Sequence, residues 1–118
     1  MITIDRGEKK IFEIDFRLKT GRPFDLTGFN RFKVCLPIGS GSKVELTDVA
    51  NANGSIVEIL GNAILGILKV TVGPDDTLKL VADQRLYIDV EIDKSATPGP
   101  IRERFLDALN VTESVCSN

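Results

Sequence analysis

The sequence predicts an all-β fold, an antiparallel β-sandwich of about seven strands that is immunoglobulin-like in architecture only. Three observations predict it. Phe12, Ile14, Phe16 and Leu18 alternate with Glu13, Asp15, Arg17 and Lys19. Leu86, Ile88, Val90 and Ile92 alternate in the same way with Arg85, Tyr87, Asp89, Glu91 and Asp93. Successive strand side chains point to opposite faces, so each run describes a strand with one buried face. Turn residues then recur along the chain with no helix-length segment between them. The likeness to immunoglobulin domains ends at architecture. There is no tryptophan, Tyr87 falls on the polar face, and Asp89 stands where a cysteine would.

The elements follow in order. After the strand from Phe12 to Leu18, Thr20-Gly21-Arg22-Pro23 is a turn. Phe24-Asp25-Leu26-Thr27-Gly28 is a short extended link. Asp25 and Thr27 can hydrogen-bond nearby backbone there, Leu26 can anchor in the core, and Gly28 can take a positive φ. Phe29 to Pro37 is the next strand, with Phe32, Val34 and Leu36 inward and Arg31, Lys33 and Cys35 outward. Gly39-Ser40-Gly41-Ser42 reads as a hairpin loop and Lys43 to Thr47 as the returning strand. Asn51-Ala52-Asn53-Gly54 is the clearest turn, because Asn-Gly favours positive φ at hairpin tips. Ser55 to Leu60 and Leu65 to Val72 are strands separated by Gly61-Asn62, placed centrally because polar alternation is weakest there. Gly73-Pro74-Asp75-Asp76-Thr77-Leu78 reads as one helical turn capped by Asp75 and Asp76, with Leu78 and Leu80 closing the base of the sandwich.

The strand from Arg85 to Asp93 is followed by a loop at Ser95 to Pro100. From Ile101 to Val115 two patterns compete. Ile101, Phe105 and Leu109 have helical spacing among good helix formers, whereas Leu109 and Val111 alternate with Asn110 and Thr112. A strand with a bulge near Asp107-Ala108 agrees with the rest of the chain. The 118 residues suit one domain, spanning 1–118 with short extended termini.

Composition restricts function. Apolar residues make up 42% and charged residues 27%, with a net charge of −2, an ordinary globular balance that argues against a phosphate-neutralising, nucleic-acid-binding surface. No histidine is present, which removes the commonest general base and neutral metal ligand. Two cysteines cannot make a four-ligand zinc site in one chain. No catalytic, cofactor-binding or metal-binding residues are therefore expected, and no small-molecule substrate. The apolar stretch from Ile56 to Val72 is broken by Glu58, Gly61, Asn62, Gly66 and Lys69 and cannot span a membrane. The amino terminus lacks a signal-peptide pattern, so a cytosolically made, soluble protein is expected.

The carboxylates Asp89, Glu91 and Asp93 share a strand face. They read as a solvated face paired with Arg102 and Arg104 across the next hairpin. Cys35 on a polar strand face and Cys116 in the tail read as free thiols, with a disulfide as the alternative in an oxidising setting.

The segment Gly21-Arg22-Pro23-Phe24-Asp25-Leu26-Thr27-Gly28, placed after an alternating strand, resembles the Gly-x-Pro-x-Asp-Leu-Thr-Gly segment of small bacteriophage tail and baseplate proteins, above all the amino-terminal domain of the upper baseplate protein. Gly66 to Val72, Asp76-Thr77-x-x-Leu80, the strand ending at Asp93 and the closing Leu109-Asn110-Val111-Thr112 are similar pieces in the same order. The resemblance implies a β-sandwich structural module of the virion, present in many copies, bound to itself and to other particle proteins. A capsid decoration protein is the alternative within that class. A carbohydrate- or receptor-binding module is the rival from another class, disfavoured because most of the six Phe lie at core parity and there is no Trp to offer sugar rings a platform. Assembly contacts are expected at sheet edges formed by the termini and at the Gly39–Ser42 loop, through Ile2, Ile4, Ser40, Gly41, Val111 and Val115, the alternative being that both ends pair within their own domain.

The fold reading has a direct test. Far-UV circular dichroism should give a sheet spectrum, and a helix content above about a third would contradict it.

Overall fold

The computed structural model describes residues 2–18, 20–38, 43–80, 84–93 and 101–112, with residues 84–86 and 101–112 described through their backbone. Eight strands are present among them: β1 (Ile2–Asp5), β2 (Lys10–Asp15), β3 (Arg31–Pro37), β4 (Lys43–Thr47), β5 (Ile56–Ile59), β6 (Ile67–Val72), β7 (Gln84–Asp93) and β8 (Ile101–Thr112). They form a five-stranded sheet in the order β1-β8-β7-β3-β4 and a three-stranded sheet in the order β2-β6-β5. The fold is all-β and sandwich-like, as the alternating runs predict.

The two sheets bury one continuous core. Phe12, Ile14, Val57, Leu68, Val70 and Val72 come from the smaller sheet. Ile4, Phe32, Val34, Leu36, Val44, Leu46, Ile88, Val90 and Ile92 come from the larger. These are the inward positions of the period-2 pattern. Register places Phe12 and Val57 on either side of Val70, and Ile14 and Ile59 on either side of Leu68. In the larger sheet Val34 lies between Leu46 and Val90.

Several boundaries differ from the sequence reading, each for a local reason. β2 stops at Asp15, and Leu18 is exposed. Beyond Asp15 the chain leaves β6: Phe16 N donates to Gly66 O at 2.8 Å, and Leu18 N donates to Arg22 O at 2.9 Å. Arg17 there pairs with Asp15 and bridges to Pro23. Residues Ala63–Leu65, assigned partly to a strand, form a 3-10 turn capped by Asn62. The Asn51–Gly54 turn is no hairpin tip. It connects β4 and β5, which lie in different sheets, although Gly54 does take φ +80°.

The carboxy-terminal ambiguity resolves as a strand. β8 pairs antiparallel with β7, and the register shifts between Leu86 and Ile88, whose partners are Leu109 and Phe105. Residues 106–108 thus face a single residue of β7, which locates the bulge at the expected place. The sandwich is not wholly antiparallel, however. β1 runs parallel to the last four residues of β8, Ile4 opposite Val111. Parallel neighbours need a long crossover, and here nearly the whole chain lies between the two strands.

The Phe24–Gly28 link behaves as its residues predict. Thr27 N donates to Asp25 Oδ1 at 2.9 Å, Gly28 has φ +87°, and Leu26 is completely buried. The link is held against the sheet end by Phe24 N donating to Phe16 O and by Leu26 N donating to Ala63 O. Gly66 makes the junction possible. It has φ +70°, and a Cβ there would stand 2.5 Å from Phe24 O and 2.9 Å from Phe16 O. Only a residue without a side chain fits both demands.

Phe16 closes the core beside this junction and is buried. Phe16→Ala should destabilise the fold by about 3–5 kcal/mol in urea titration, as other large-to-small core changes do. A loss below about 1 kcal/mol would mean that its face is misassigned.

Candidate functional site

The most organised polar cluster lies at the end of the sandwich opposite Gly66, past the other end of β6. One helical turn, α1 (Pro74–Thr77), follows β6 there and faces the 51–55 loop. Proline at the first helical position suits the start of a helix. The sequence predicts that Asp75 and Asp76 cap this turn, but the cap is Gly73, with no side-chain cap bond. Asp76 instead turns toward the loop and is only 2% exposed. Its Oδ2 accepts from Ser55 Oγ at 2.5 Å and from Asn51 Nδ2 at 2.9 Å. Its Oδ1 accepts from Asn53 Nδ2 at 2.9 Å, with Lys79 Nζ 3.4 Å away.

The loop is preorganised for this contact. Asn51 Oδ1 accepts from the backbone N–H groups of Asn53 and Ser55. Gly54 N donates to Asn51 O. Ser55 Oγ also accepts from Gly73 N at 2.8 Å. A Cβ on Gly73 would stand 1.9 Å from Asn53 O, so loop and turn meet backbone to backbone. Thr77 adds a bond from its hydroxyl to Glu8 O, tying the β1–β2 connection to the same end. Leu80 is buried beneath, while Leu78, expected to help close the base, is exposed.

Burial pushes the Asp76 carboxyl up, but hydrogen bonds from Ser55, Asn51, Asn53 and Lys79 outweigh it and hold the group below its ordinary value of 3.8. Asp76 is therefore an ionised, fully engaged acceptor at neutral pH, suited to fixing a loop rather than to moving a proton.

A second candidate is a shallow hollow of about 250 Å³ on the outer face of the five-stranded sheet, lined by Arg31, Lys33, Thr47, Asp48, Glu91 and Asp93. Register sets Arg31 opposite Asp93 and Lys33 opposite Glu91, with Lys33 Nζ 4.0 Å from the Glu91 carboxylate. Asp48 Oδ1 accepts from Phe32 N at 3.2 Å. The hollow holds both signs of charge, and its one hydroxyl, Thr47, donates to Val49 O. On the other side of β7, Asp89 lies opposite Arg104 and Glu91 opposite Arg102, the register expected of a charge-paired face. Among the described residues no group of three or more His, Cys, Asp or Glu could hold a metal ion.

Cys35 requires a correction. It has outward parity but is only 8% exposed and is a free thiol. Its register neighbours are Glu45 and Asp89. Burial pushes the thiol up, Lys43 pulls it down, Glu45 raises it, Lys33 lowers it and Asp89 raises it, with a net upward shift. Such a thiol is protonated and inert at neutral pH. Cys116 lies outside the described residues.

Among the residues expected to make assembly contacts, Ile2, Ile4 and Val111 lie in β1 and β8, with β1 at the edge of the five-stranded sheet and paired on one side. Ile2 and Ile4 pair in register with Leu109 and Val111, and Ile4 is completely buried in the core. Strands β1 and β8, the first and last described, are thus neighbours within one sheet. Ser40, Gly41 and Val115 lie outside the described residues. The sequence reading missed the Asp76 cluster entirely. Its only sequence signal is the density of Asn, Gly and Ser at 51–55, since nothing local points from that loop to a carboxylate more than twenty residues away.

No protein-family model matches the chain, and no curated protein is significantly similar to it.

Asp76→Ala removes the shared acceptor of four donors, and Ser55 is itself fully buried. The expected loss is about 2–4 kcal/mol, the scale of charge-assisted bonds partly replaced by water. The pH dependence has a definite sign. A carboxyl with a lowered folded pKa contributes stability that is complete above its unfolded value and lost as pH falls through the folded one. The stability difference between the wild type and Asp76→Asn should therefore shrink in acid, below about pH 4. A difference constant from neutral pH into strong acid would contradict the assignment.

Proposed function

We propose that this chain is a non-enzymatic structural module of a bacteriophage particle, in the tail or baseplate, assembling with copies of itself and with other particle proteins. The observation that carries the reading is the Gly21–Gly28 segment. The residues that resemble phage tail and baseplate proteins are also those that tie the inter-sheet link to the core through Leu26 and the Asp25–Thr27 turn. The resemblance therefore rests on residues that determine how the chain folds.

Three exposed apolar side chains are placed to contribute to assembly. Leu18, Ile64 and Leu65 sit on segments stitched together around Gly66, at the same end as the Gly21–Gly28 link. Ile64 is 55% exposed. This end joins the termini as a proposed contact surface: β1 pairs with β8 on one side only and forms the edge of its sheet. The capsid decoration reading shares these features. The carbohydrate-binding reading is weakened by the aromatic residues: Phe12, Phe16 and Phe32 are buried, and Phe24 and Phe29 are half-buried against each other with ring centroids 5.8 Å apart.

The test is mass spectrometry of density-banded particles from the cells that make this protein. Recovery in fixed ratio with tail proteins is expected, recovery with the capsid alone would favour decoration, and recovery only outside particles would overturn the proposal. Within particles, the Ile64→Glu, Leu65→Glu double variant should lose incorporation while its stability stays within about 0.5 kcal/mol per site, as for surface changes.

A further inference from the structure

The Asn53-Gly54 pair is the only Asn-Gly in the sequence, and it sits inside the Asp76 cluster. Asn-Gly is the dipeptide most prone to spontaneous deamidation, because glycine leaves the attacking backbone nitrogen unhindered. The Gly54 nitrogen attacks Asn53 Cγ. The N–Cγ bond forms, the Cγ–Nδ2 bond breaks, and ammonia leaves with the proton from the Gly54 N–H. Water then opens the cyclic imide. Cleavage at Cγ gives aspartate, and cleavage at the backbone carbonyl gives isoaspartate, with the chain rerouted through the side chain. No oxidant or cofactor is involved.

The structure holds each group this reaction needs. Gly54 N–H, the nucleophile, donates to Asn51 O at 3.1 Å. Asn53 Nδ2, the leaving group, donates to Asp76 Oδ1 at 2.9 Å. Asn53 N–H donates to Asn51 Oδ1 at 2.9 Å, fixing the backbone between them. Attack requires the side-chain amide to swing onto the Gly54 nitrogen, which breaks the bond to Asp76. The addition step also develops negative charge at Cγ oxygen, and a carboxylate already lies within hydrogen-bond distance of that amide. A fixed anion beside a developing anion raises the barrier.

We propose that Asn53-Gly54 is a self-modification site whose deamidation is gated by the Asp76 clasp and whose product disables that clasp. The product carries a carboxylate where an amide donor stood, facing Asp76. Two carboxylates then share a site in which the remaining donors are Asn51, Ser55 and Lys79, with Asp75 adding a further negative charge on the same turn. Closure cannot be regained by refolding, since the amide has left as ammonia. Opening of this end of the sandwich is thereby recorded irreversibly in the chain.

The experiment follows Asn, Asp and isoAsp at position 53 by peptide mass spectrometry during incubation of the full chain in mildly alkaline buffer. The folded wild type should react at least about tenfold more slowly than the same chain held unfolded in urea, and folded Asp76→Asn should move toward the unfolded rate. Equal rates for folded and unfolded wild type would overturn the gating. So would wild-type rates in folded Asp76→Asn. If circular dichroism shows that Asp76→Asn does not fold, Asp76→Ser, which also removes the carboxylate bonded to Asn53 Nδ2, replaces it under the same two readings. Asn53→Asp, which installs the aspartate product directly, should melt about 5 °C or more below the wild type. An unchanged melting temperature would overturn the claim that the product disables the clasp.

Discussion

The structure depends on one apolar contact, the inner face of the three-stranded sheet against the inner face of the five-stranded sheet. Leu68, Val70 and Val72 run along the middle of the smaller sheet, all fully buried, and every strand of the larger sheet with described side chains contributes to the surface they meet. Neither sheet is stable alone, because a sheet with one apolar face must cover it. The order of strands follows from sharing that core. The chain changes sheet four times, between β1 and β2, β2 and β3, β4 and β5, and β6 and β7, and the first and third of these crossings form corners of the sandwich. Those corners also bring the sheet edges together, β1 near β2 and β4 near β5, which leaves less edge open to foreign strands.

Crossing between layers places main chain over the ends of the core, where its polar groups must find partners. The two ends of β6 solve this differently. At Gly66 the partners are backbone: carbonyls of Phe16 and Phe24 approach where no side chain could stand, and the link is anchored by Leu26. At Gly73 the partners are side chains. Ser55 Oγ accepts from Gly73 N, Asp76 collects the side-chain donors of Asn51, Asn53 and Ser55, and the carboxylate is kept ionised by the bonds it accepts. A backbone junction of the first kind is insensitive to pH and chemistry. A junction built on one carboxylate and two asparagine amides responds to both.

This asymmetry bears on function. The Gly66 end carries the exposed Leu18, Ile64 and Leu65 on segments held by main-chain bonds, which is why a proposed assembly surface is placed there. The opposite end is the one whose integrity can be lost by acid or by amide chemistry. The polar hollow between Arg31 and Asp93 and the buried Cys35 add no reactive group to either end. The hollow carries opposed charges on neighbouring strands, and the thiol is shielded and protonated.

The sequence by itself determined which residues face inward. Phe12, Ile14, Val34, Val70, Ile88 and Val90 are core because strand geometry alternates faces every residue, a local rule that needs no knowledge of partners. It also determined the Asp25–Gly28 link, whose bonds span two residues, and the bulge in β8, where the alternation slips. Only the tertiary structure decided which strands are neighbours, that Ile4 pairs with Val111, that Cys35 is covered, and that Asp76 turns from its own helical turn to Asn51, Asn53 and Ser55. Each of these is a contact across a large sequence separation. A pattern of period two records that a side chain needs a partner, but the partner's identity is fixed by packing, where the loss of chain entropy on closing a long loop is offset by burial that no single segment can supply.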